Sequence, residues 1–78
     1  MTKFYKEVTE AGLTYYYAKQ SDYEYALSVA LSPTGLINTM RFAKLPSEHI
    51  CKSIDKDEFA KAFNKAQDTF TDFLKINK

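Results

Sequence analysis

The clearest pattern in the chain lies between Tyr23 and Leu31. Tyr23, Tyr25, Leu27, Val29 and Leu31 alternate with Glu24, Ala26, Ser28 and Ala30. A period of two puts the first set on one face of a β-strand and the second on the other. Three further segments read as strands. Residues 2–9 place Phe4 and Val8 on one face, with Tyr5 between them on the other. Residues 13–20 open with a run of β-formers, Leu13-Thr14-Tyr15-Tyr16-Tyr17. Residues 36–45 set Met40 and Phe42 against Thr39, Arg41 and Ala43. Turn signals separate the four: Glu10-Ala11-Gly12, Ser21-Asp22 and Ser32-Pro33-Thr34-Gly35. In the last of these, proline fixes φ and glycine supplies a positive φ. Short connections favour antiparallel neighbours, so the expected order is a meander. Pro46 closes the fourth strand, and residues 47–52 are expected to form one helical turn with Ser47 as its cap.

Beyond that point the period changes. Phe59, Ala62, Phe63, Ala66, Phe70, Phe73 and Leu74 recur at spacings of three and four, which is one stripe of an α-helix. Asp55 is placed to cap this helix, and Glu58 to complete a capping box. Ile54 and Phe59 stand where a hydrophobic staple would hold the entry. Acidic Asp55, Asp57 and Glu58 lie at the positive end of the macrodipole, with Lys75 and Lys78 at the other end. The stripe resembles a short coiled-coil seam, but burial against the chain's own sheet is the expected use of it. Twenty helical residues span about 30 Å, the length of a nine-residue strand, so the helix is expected to lie along the sheet. The expected fold is α+β: a four-stranded antiparallel meander within residues 2–45, followed by one long C-terminal amphipathic helix, about residues 56–75, packed on one sheet face. Residues 1–78 form one small domain in this reading.

Composition narrows the classes of function. Hydrophobic residues are 45% of the 78, and six Tyr and six Phe give enough aromatic volume for a small core. Eleven basic residues nearly cancel ten acidic ones, leaving a net charge of +1. That balance offers no electrostatic grip for duplex DNA or an anionic membrane, and neither partner is expected. Cys51 is the single cysteine, so no intramolecular disulfide can form. The first residues lack the apolar core of a signal peptide, and no apolar run approaches about 20 residues. A cytoplasmic location is expected.

Candidate chemistry is sparse. Ile54-Asp55-Lys56-Asp57-Glu58-Phe59 resembles the end of an EF-hand loop. Counting back from Glu58 as twelfth ligand, however, puts Ser47, His49 and Cys51 at the first three ligand positions and Lys52 where the loop needs glycine. His49 and Cys51 could supply half a zinc site, but the chain has no other histidine or cysteine. Their two-residue spacing also fails to bring the groups face to face on a helix. Two isolated glycines make no phosphate loop. No catalytic residue, metal or cofactor is expected.

A surface remains. With the helix over Leu27 and Val29, the opposite sheet face is expected to carry Lys3, Tyr5, Thr14, Tyr16, Ala18, Ala26, Ser28, Thr39 and Arg41. From it we draw a candidate interaction surface of Tyr5, Tyr16, Ala26, Ser28, Thr39 and Arg41: flat at the centre, edged by the Tyr and Arg favoured at interfaces. The expected function is a non-catalytic protein-interaction module, with a homodimer among its forms. The alternative is a single-stranded DNA- or RNA-binding module that stacks bases on the same Tyr and uses Arg41 and Lys3 as cations. A small metal- or Cys/His-dependent enzyme is the third reading.

Overall fold

The computed structural model describes residues 1–34, 38–46 and 50–76. It contains β1 (Thr2–Val8), β2 (Thr14–Gln20), β3 (Tyr25–Leu31), β4 (Asn38–Lys44), β5 (Lys52–Ile54) and α1 (Lys56–Ile76). The strands form one antiparallel sheet in the order β4-β3-β2-β1-β5. The first four make the expected meander.

The fifth strand is a correction. Cys51 is a bend and Lys52 is extended, so the expected helical turn does not reach residue 52. Lys52–Ile54 is extended and pairs with β1, Ser53 opposite Tyr5 and Ile54 opposite Phe4. Without it, β1 would present a free row of backbone donors and acceptors at the sheet edge. That tertiary gain overrides a weak local preference for a turn of helix. The proposed cap Ser47, the turn residue Gly35 and the expected strand start at Leu36 lie outside the described residues, as does His49.

The first turn forms as its residues suggest. Gly12 adopts φ +85° and its N–H donates to the Thr9 carbonyl at 3.0 Å. A side chain there would be strained in φ and would meet Pro33 Cγ at 3.1 Å. The second turn closes with Tyr23 N–H donating to the Gln20 carbonyl.

Register decides which side chains meet the helix. Phe4 stands opposite Ala18, Ala18 opposite Leu27 and Leu27 opposite Phe42; Lys6, Tyr16, Val29 and Met40 form the next row. Phe4, Tyr16, Ala18, Leu27, Leu31, Met40 and Ile54 pack around a core of Val29, Phe59 and Ala66. Thr14, Tyr16 and Ala18 therefore lie on the helix side, not on the outer face where they were expected. Tyr15 and Tyr17 take the outer positions. Three consecutive tyrosines have no polarity contrast, so alternation within β2 cannot tell its two faces apart. The turn through Gly12 sets the register and hence the face.

The helix begins where the cap predicts. Glu58 N–H donates to Asp55 Oδ1 at 2.8 Å. The reciprocal half of the capping box is replaced: Glu58 turns to Lys6, Nζ to Oε2 2.8 Å. Lys6 is held above its ordinary pKa by this hydrogen bond and by the Glu58 charge. Phe59 packs on Phe4, ring centroids 5.4 Å apart, and on Phe63 at 6.4 Å. At its other end the helix meets β4, where Asn38 Nδ2 donates to Thr69 Oγ1 at 2.8 Å. Between Glu58 over β1 and Thr69 over β4 lie about 16 Å of helix and three strand spacings, about 14 Å. The helix thus crosses the strands obliquely instead of lying along them. The expected lengthwise packing is corrected accordingly. The oblique path follows from the two anchors, Lys6–Glu58 on β1 and Asn38–Thr69 on β4, which stand three strand spacings apart but only two residues apart along the strands, Lys6 in the row of Met40 and Asn38 in the row of Leu31.

Candidate interaction surface

The outer sheet face is built on two rows. One runs Ser53, Tyr5, Tyr17, Ser28, Arg41; the next runs Glu7, Tyr15, Ala30, Thr39. The small residues of β3 leave room that neighbouring side chains fill. Tyr17 is only 5% exposed and Ser28 3%, while Ala26 and Ala30 are also buried. Tyr17 stacks beside Tyr15 at 6.3 Å between ring centroids, and its hydroxyl donates to Glu7 Oε1 at 3.2 Å. Burial, then the Glu7 charge, pushes the Tyr17 phenol well above its ordinary pKa.

The connection from β4 to β5 joins opposite edges of the sheet. Cys51, the residue before β5, is half-buried. Burial and the nearby Glu7 charge raise its thiol pKa, which lowers the thiolate fraction at neutral pH.

The six expected surface residues therefore separate. Tyr5, Ser28 and Arg41 share one row, and Thr39 flanks Arg41 on β4. Arg41 and Thr39 are exposed and Tyr5 is half-buried, but Ala26 and Ser28 are buried at the floor. Tyr16 is on the other face, packed against the core. The expected flat platform is thus divided between an exposed margin at β4 and a closed centre.

A second surface lies on the helix side. Because the helix crosses obliquely, it leaves one corner of that face uncovered, where β3 begins and β4 ends. Phe42 is 75% exposed there, Tyr25 49% and Tyr23 62%. With Glu24 they line an open apolar hollow of about 350 Å³. An ion pair of Lys44 and Glu24, 3.3 Å apart, borders it. β4 itself is the outermost strand, so one side of its backbone has no partner strand among the described residues. Sequence reasoning assigned Tyr25 and Phe42 to the covered face by alternation, correctly as to face. It missed their exposure because alternation carries no information on the helix's angle to the strands.

Comparison with known protein families, with characterised proteins and with solved structures finds no match to this chain. Among the described residues no cluster of three or more His, Cys, Asp or Glu is placed to hold a metal ion, and no helix is long and apolar enough to cross a membrane.

Proposed function

We propose that this chain is a non-catalytic protein-interaction module that binds through the β4 side of its sheet. The observation that carries this reading is the cluster of Phe42, Tyr25 and Tyr23, half to three-quarters exposed, beside an open strand edge. Aromatic side chains are enriched in interface cores, and Arg41 and Thr39 on the same strand supply a polar rim. An open edge strand also offers a row of backbone hydrogen bonds to a partner.

The rival reading, single-stranded nucleic acid on the outer face, draws on the neighbouring Lys3 and Lys19. Two observations weaken it. Tyr17, the central aromatic, is buried. The Lys19 ammonium already donates to the Gln20 and Tyr23 carbonyls.

Photo-crosslinking in the producing cells tests the proposal. A photoreactive phenylalanine analogue at Phe42 is expected to give discrete protein adducts, and the same analogue at exposed Gln67 is not. Adducts to nucleic acid, or equal yields at the two positions, would contradict it.

A further inference from the structure

Resting on that reading, we infer that the partner at the β4 side is a second copy of this chain, joined edge to edge through β4 with each helix end lying over its partner's aromatic corner. The helix points at the open sheet edge. It travels from β1 toward β4, reaches β4 at Thr69, and continues to Ile76. Past Thr69 it has left its own sheet. Leu74, about 7 Å farther along the axis, stands beyond the β4 edge by more than one strand spacing of about 4.8 Å. Phe70 and Leu74 continue the i, i+4 row of buried Ala62 and Ala66, yet Leu74 is 66% exposed. An apolar row that overhangs a sheet edge is therefore presented to whatever pairs with that edge.

The same molecule carries the matching surface. An antiparallel pairing of β4 with a second β4 about Met40 sets Asn38 opposite the partner's Phe42. The two-fold axis is then perpendicular to the sheet, so both helices lie on one side of a continuous sheet. Thr69 sits over Asn38, so Phe70 and Leu74 come down beside the partner's Phe42 and Tyr25. The symmetric contact repeats this in reverse. Sliding the register by one residue on each strand would oppose Arg41 with its own copy, whereas pairing about Met40 puts Arg41 opposite Thr39.

Charge and area agree. Asp68 and Asp72 are exposed on the terminal part of the helix, and Lys44, on the helix side of β4 with Phe42, is exposed beside Glu24. Tyr23, Tyr25, Phe42, Phe70 and Leu74 together expose roughly 500 Å² per chain, at ~150–250 Å² for a whole aromatic side chain. Two copies would bury about 1,000 Å² from these alone, and the β4 backbone and rim bring the total into the range of specific interfaces.

Sedimentation equilibrium of the intact chain, from low micromolar to near-millimolar concentration, tests the inference. The expected result is a reversible dimer of twice the 9.0 kDa chain mass. Phe42→Asp and Leu74→Lys, both at exposed positions, should each weaken it more than about tenfold with unchanged circular dichroism. An equimolar mixture of the two variants should recover dimer. In the mixed pair one contact is native and the other brings opposite charges together. A wild-type chain that stays monomeric throughout overturns the inference while leaving the module reading to the crosslinking result. A dimer indifferent to both substitutions, or variants that do not rescue one another, overturns it also.

Discussion

Phe59 is the position where the fold is most exposed to a single substitution. Its ring is buried between Phe4 on β1 and Phe63 one turn along the helix, and it belongs to the cluster with Val29 and Ala66. Phe59→Ala removes a phenyl group from the centre of that cluster and leaves a cavity between the helix and β1. The expected loss is ~3–5 kcal/mol. A chain of this length has ~3–5 kcal/mol of net stability from a single small core, so the variant should sit near its unfolding midpoint at room temperature. If it still folds, its melting temperature should fall by roughly 12–40 °C, at about 4–8 °C per kcal/mol for a domain of this size. Phe63→Ala provides the internal comparison. Phe63 is only half-buried, and its loss should be clearly smaller. Thermal and urea unfolding followed by circular dichroism give both numbers. A Phe59→Ala variant that melts within about 5 °C of wild type, or less affected than Phe63→Ala, would refute the packing of the helix start on β1.

Three further outcomes follow from the same contacts. Asn38 is buried, donates to Thr69 and accepts from the Ser32 N–H at 3.3 Å; Asn38→Ala should cost ~1–3 kcal/mol in urea unfolding, and no loss would mean that the helix is not anchored on β4. Asp55→Ala should cost ~1 kcal/mol through the lost cap, and millimolar calcium should change neither wild-type nor variant melting; a calcium-dependent rise would restore the EF-hand reading. Tyr17 has a folded-state pKa raised above the ordinary value of about 10, so its contribution is complete below pH 10 and is lost as pH climbs from there toward the folded value. Tyr17→Phe should therefore shrink the alkaline fall in stability, and identical alkaline profiles for variant and wild type would contradict the burial of that hydroxyl.

Much of this architecture is legible in the residues, for reasons that differ between elements. The helix announces itself twice, through the 3–4 spacing of Phe59 to Leu74 and through Asp55 at its entry, because cap and stripe are both local properties. The face of β3 follows from strict alternation, and the Gly12 turn from the need for a positive φ. β5 is illegible because three residues pairing with a distant strand carry no local signature. The face of β2 is illegible because Tyr15, Tyr16 and Tyr17 are alike, and only the register across the turn distinguishes them. That single ambiguity moved Tyr16 from the core to the candidate surface. The exposure of Phe42 depends on the helix's crossing angle, fixed by Lys6–Glu58 and Asn38–Thr69, and no window of sequence contains either pair. The aromatic corner thus needed coordinates to be seen, whereas Thr39 and Arg41 on the neighbouring margin were already in view.

On the proposed function, β4 and its aromatic corner form a contact surface and not a solvated edge. Amide hydrogen exchange followed by nuclear magnetic resonance reads this strand residue by residue. Backbone amides of β4 alternate between those that face β3 and those that face outward. In a contact surface the outward set is expected to be protected at high protein concentration and to become fast on dilution, with the Phe42 and Tyr25 ring resonances shifting in step. Outward β4 amides that exchange as fast as those of the exposed turn at Ser21-Asp22 at every concentration, with partner-dependent shifts confined to Tyr5 on the outer face, would contradict it.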